Sequence, residues 1–137
     1  NLPTFSGVQQ LPGAEYAVHQ VQAGERSISA DLAGAYPPIA GLTFYRRTVS
    51  VSEQSVTLRD ETDWPGNVEL TLLTEQKPEP AADGLTVGTL GGIRFGGEVQ
   101  AEVQPVPVTD PRLRTAWPET IYKITLRFSK NIRAVLY

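Results

Sequence analysis

A chain of 137 residues, 40% hydrophobic and 20% charged, is sized for one domain that buries roughly two-thirds of the surface its unfolded form exposes. Its formal net charge of -3 comes from 12 basic and 15 acidic residues scattered along the sequence, so no basic stripe exists to grip a nucleic-acid backbone or an anionic membrane. No apolar run approaches the ~18 residues of a membrane span, and the absence of cysteine excludes disulfides and thiolate metal sites while leaving the compartment open.

In chain order, Glu15 to Val21 reads as a strand carrying His19, and Ile28, Ala30 and Leu32 then alternate with Ser27, Ser29 and Asp31. Period two is the spacing of a half-buried strand. Tyr36-Pro37-Pro38 makes a rigid crossing. Val49 and Val51, Val56 and Leu58, and Val68, Leu70 and Leu72 repeat the alternation, with Pro65-Gly66 between the last two runs as a predicted type II hairpin turn. Asp83-Gly84, Gly91-Gly92 and Gly96-Gly97 divide short segments, among them Ile93-Arg94-Phe95.

Val99, Ala101 and Val103 form the next alternating run, which Pro105 and Pro107 mark as an edge strand because proline cannot donate to a ladder. Asp110 to Trp117 reads as the one short helix, with Asp110 as N-cap, Pro111 at the first turn and Pro118 as its stop. Tyr122, Ile124, Leu126 and Phe128 close the series. Eight to ten strands and no long amphipathic helix predict an all-β fold, an antiparallel two-sheet β-sandwich in a single domain over 1–137.

Sites are weighed against ordinary structural roles. His19 is the single histidine, but a general base needs a partner in reach and the local pattern supplies none, so it is assigned to structure. Asp60, Glu61 and Asp63 lack the spacing of a calcium loop and are expected to be solvated at a strand end. Asp31 is expected on the solvent face or beside an arginine. The glycine pairs do not lead from strand to helix, so they form no phosphate cradle. Trp64, Trp117, Tyr36 and Tyr45, with Arg46 or Arg47, could form a sugar-stacking platform whose arginines hold acidic groups, against the alternative that these aromatics are core residues. No catalytic residue, metal ligand or cofactor is assigned.

Three stretches resemble the C-terminal part of the heparinase II/III-like polysaccharide lyases. Residues 1–13, Asn1-Leu2-Pro3-Thr4-Phe5-Ser6-Gly7-Val8-Gln9-Gln10-Leu11-Pro12-Gly13, are similar to the segment in which a His-Asn or His-Ser pair leads into a short strand and a turn. Asp31 to Pro37, Arg46-Arg47-Thr48-Val49 and Val56 to Asp60 resemble an aspartate strand, a Tyr-Pro crossing, an arginine-bearing strand and a strand ending in aspartate. Asp110 to Arg114, Trp117 and Ile121 to Ile124 look like a late segment of bacterial members.

The resemblance implies an upstream α/α toroid and a central β-domain as partners in a parent that cleaves uronic-acid polysaccharides by β-elimination. It also implies that the catalytic tyrosine and histidine lie in those parts. The family histidine would fall just before Asn1, and His19 lies outside the motif. Together with the absence of methionine, even at position 1, this leads us to expect a noncatalytic fragment of a larger periplasmic or secreted protein, supporting the toroid. Alternatives are a binding module for acidic polysaccharide and a structural interaction sandwich.

Overall fold

The structure, a computed structural model, describes residues 2–137; Asn1, which heads the first resemblance segment, lies outside them. Twelve strands are present among the described residues: β1 (Thr4–Phe5), β2 (His19–Ala23), β3 (Ser27–Asp31), β4 (Tyr45–Val51), β5 (Val56–Thr62), β6 (Asn67–Thr74), β7 (Pro78–Ala81), β8 (Gly84–Val87), β9 (Gly91–Gly96), β10 (Gln100–Pro107), β11 (Thr120–Ser129) and β12 (Asn131–Leu136). They make two antiparallel sheets packed as a sandwich. One has four strands in the order β1-β6-β11-β10, the other eight in the order β2-β3-β4-β5-β12-β9-β8-β7.

The core is the sum of the alternations. On the small sheet Phe5 lies opposite Val68, which lies opposite Phe128, and Leu70 lies opposite Leu126. All are almost wholly buried. On the large sheet the inward residues include Ile93, Ala134, Ile132 and Tyr45. The outward residues between them, such as Thr48, Arg59 and Arg133, are polar, which is what one solvated face requires.

The chain edges are blunted. Pro78 and Pro80 sit on edge strand β7, Pro105 and Pro107 on edge strand β10, and β1 is two residues long. Edge strand β2 is interrupted between His19 and Gln22, with Gln20 at φ 49°. Prolines and irregularities of this kind deny a neighbour a continuous ladder.

Several sequence expectations are corrected. Pro65-Gly66 is not a hairpin turn: β5 belongs to the large sheet and β6 to the small one, and Gly66 has no positive φ. Glycine is needed there for space, since a Cβ would meet Trp64 Nε1 at 2.9 Å. Gly96-Gly97 likewise carries the chain from the large sheet to the small one, with Gly97 at φ 86°.

The helix over 110–117 shrinks to one 3-10 turn, Leu113–Thr115. Asp110 is not its cap: Arg112 holds the N-cap position without a side-chain cap bond, and Asp110 Oδ1 accepts from Arg112 N at 2.8 Å in the turn just before it. With Leu113 exposed, no apolar face is packed, and so short a helix does not stand on propensity alone. The strand with His19 starts at His19 rather than Glu15. The count also exceeds eight to ten. The expected series stops at Phe128 and misses β12, although Ile132 and Ala134 alternate there with Arg133, while proline-rich β7 and two-residue β1 owe their pairing to neighbours rather than to a pattern of their own.

Candidate functional site

The expected aromatic platform separates into three places. Tyr36 follows the 3-10 turn Ala33–Ala35, Tyr45 begins β4, and both are buried. Phe5 packs edge-on against them at centroid distances of 5.0 and 5.4 Å, and Trp64 meets Phe5 at 6.1 Å. Such edge-to-face contacts satisfy the ring quadrupoles. Tyr36 Oη donates to Pro3 O at 2.7 Å, tying the N-terminal segment to the crossing. Trp64 is half-buried behind this group, whereas Trp117 lies alone on the turn after β10, 48% exposed.

Arg46 and Arg47 part company because consecutive strand residues point to opposite faces. Arg47 points inward, beside the aromatic group, and grips Asp60 with Nε to Oδ1 at 2.7 Å and Nη2 to Oδ2 at 2.6 Å. Asp60, expected to be solvated, is only 1% exposed and is held by this fork. Burial first, and the negative charge of Asp60 as well, push the Tyr45 hydroxyl well above its ordinary range; burial does the same for Tyr36. These groups stay protonated and neutral, as core residues do.

Asp63 and Asp31 serve turns. Asp63 is exposed and accepts from Thr43 Oγ1, from Thr43 N and, at 3.1 Å, from Phe44 N. Slight desolvation pushes its carboxyl up, but those hydrogen bonds outweigh it and hold it below its ordinary value. Asp31 Oδ1 accepts from Ala33 N at 3.0 Å, although Arg46 stands opposite it on β4.

His19 lines an open cleft of about 580 Å³ with Glu15, Tyr16, Asp31, Pro37 and Thr43. Gly34 lets the imidazole lie on the crossing, since a Cβ there would meet His19 Nε2 at 2.9 Å. His19 lies opposite Asp31 but shares no hydrogen bond with it or with a nucleophile among the described residues. No group of three or more histidine, aspartate or glutamate side chains is placed to hold a metal ion among the described residues.

The outer face of the large sheet gathers cations instead. Arg46 on β4, Arg59 on β5, Arg133 on β12 and Arg94 on β9 all point outward, set among Ser29, Thr48 and Thr57. Arg46 reaches Gln20 Oε1 at 3.4 Å, Arg59 pairs with Glu61 at 2.8 Å, and Arg94 pairs with Asp83 at 3.3 Å. Arg94 also lies over the Tyr137 ring, 4.1 Å from its centroid. Of the residues expected to form the aromatic and arginine platform, Arg46 alone among the described residues belongs to this face, where Asp31 and Glu61 stand opposite it on β3 and β5. Arg59, Arg94 and Arg133 were readable as outward positions of their strands, but only sheet order makes them neighbours.

No family model matches the chain, and no curated protein matches it.

Proposed function

We propose that this chain is a noncatalytic β-sandwich domain of a heparinase II/III-like polysaccharide lyase, one that braces the catalytic toroid of a parent acting on uronic-acid polysaccharides by β-elimination. One observation carries the reading: segments of the first two stretches that bear the resemblance meet in a single buried group. Phe5 comes from the first stretch, Tyr36 from the Tyr-Pro crossing, Arg47 from the arginine strand and Asp60 from the strand ending in aspartate.

These residues are distant in sequence, and such a set is held together by packing. The expected role follows from the chemistry. Tyr36 and Tyr45 are buried with hydroxyls held protonated, and Arg47 is committed to Asp60, so these groups stabilise the domain rather than move protons.

The test has two arms. The isolated chain, incubated with heparin, heparan sulfate or alginate, should produce no absorbance from unsaturated uronate; turnover by the pure chain would overturn the noncatalytic role. The encoding sequence ahead of Asn1 should specify a helical toroid, and an upstream region without helices would overturn the parentage.

A further inference from the structure

We propose that the outer face of the large sheet holds a binding groove for acidic glycan, in which Arg133 and Arg94 clamp a carboxylate or sulfate group. The groove, about 430 Å³, is lined by Asp83, Arg94, Gly96, Arg133 and Val135. Arg133 lies opposite Gly96, and Val135 lies opposite Arg94, so the two guanidinium groups project from diagonal positions on adjacent strands. Diagonal positions of that kind lie within reach of long side chains.

Three features favour an anion between them. On its other side Arg133 stands directly opposite Arg59, a like-charge pairing that a sheet disfavours unless something negative lies near. Arg59 has Glu61, whereas Arg133 has no ion pair or hydrogen bond among the described residues. Gly96 leaves open space where a side chain would stand, since a Cβ there would meet nothing within 4 Å. The slot beside Arg133 is therefore unfilled by the protein itself.

Arg94 is already oriented. Its guanidinium stacks on Tyr137, and that ring can lie there because Gly92 has no side chain: a Cβ would meet Tyr137 Oη at 2.5 Å. A stacked, planar guanidinium keeps donor edges free for a two-point grip on an oxyanion. Its partner Asp83 is well exposed and only 3.3 Å away at closest, a contact that an incoming anion can displace. Val135 and Gly96 between the two arginines carry no polar side chain, which suits the C–H face of a sugar ring.

That the anion is carried on a glycan rests on the function proposed above; the two-arginine clamp rests on the geometry alone. A chain of net charge -3 with aspartate on the groove wall repels a continuous polyanion such as DNA, which favours a polymer with spaced charges.

The experiment is calorimetric titration of the chain with an oligouronate, a sulfated oligosaccharide, a neutral oligosaccharide of the same length and duplex DNA. Binding is expected for at least one acidic sugar, weakening as salt rises. Arg133→Gln and Arg94→Gln should each weaken it roughly tenfold, the scale of one lost charge-assisted hydrogen bond, with Arg133→Lys in between. Arg112→Gln, the same charge change on the turn after β10, should leave it unaltered.

Thermal melts establish that each variant is folded before titration. Equal affinity for the neutral sugar, tighter binding of DNA than of either acidic sugar, or unaltered affinity in both groove variants would overturn the proposal. An upstream sequence without a toroid would overturn the parentage and leave the clamp standing.

Discussion

Arg47 on β4 and Asp60 on β5 stand directly opposite each other on the core-facing side of the large sheet, joined by two short hydrogen bonds and almost sealed from water. A charge at that position is tolerated only because its partner is there. Asp60→Ala should therefore cost roughly 3–5 kcal/mol by leaving a buried guanidinium uncompensated. Replacing both, Arg47→Met with Asp60→Leu, should recover most of the loss, because an apolar pair of similar volume needs no desolvation of charge. Urea denaturation of the two variants checks this; a double variant no more stable than the single one would contradict it.

The aromatic residues divide by burial. Phe5→Ala should cost about 3–5 kcal/mol, as expected for emptying a ring-sized volume in a packed core, whereas Trp117→Ala should stay within about 0.5 kcal/mol. Denaturant midpoints give the difference. Iodide should quench mainly Trp117, so Trp117→Phe should remove most of the quenchable fluorescence; strong quenching that survives this change would contradict the placement of Trp64.

Two glycines with the same local look should behave oppositely. At Gly84 a Cβ would sit 1.9 Å from Ile93 O, a backbone atom that cannot swing away. Gly84→Ala should destabilise by at least about 1–3 kcal/mol, the range for overpacking. Gly96→Ala meets open space at an ordinary φ and should be neutral or stabilising by up to about 1 kcal/mol. Thermal melts of the pair decide it.

The lowered pKa of Asp63 gives a pH dependence with a definite sign. A carboxyl that is more acidic folded than unfolded adds stability that is fully present above its unfolded pKa of about 4 and is lost as pH falls through the folded value. Removing a donor with Thr43→Ala should raise the Asp63 midpoint toward the ordinary range, read by NMR titration of its side-chain carboxyl. A midpoint that does not move would exclude the Thr43 hydrogen bond as a cause.

Period-two alternation in β3, β4, β5, β6, β10 and β11, with proline marking the β10 edge, was legible in the sequence alone, because side-chain direction in a strand is a local property. That determined the fold class. The same alternation puts Arg46 and Arg47 on opposite strand faces, a consequence the expected platform did not take into account.

What only the tertiary structure decided is partnership. Local pattern cannot tell a hairpin at Pro65-Gly66 from a passage between sheets, since both need a tight, exposed turn, and the difference lies in which distant strand accepts the ladder. Nor could Asp60 be seen as buried, because a carboxylate enters the core only once a strand 13 residues earlier in the chain brings Arg47 across from it. The same long-range pairing sets Arg94 beside Arg133. Faces are written into each strand, but the neighbours that give those faces their chemistry are fixed by sheet order.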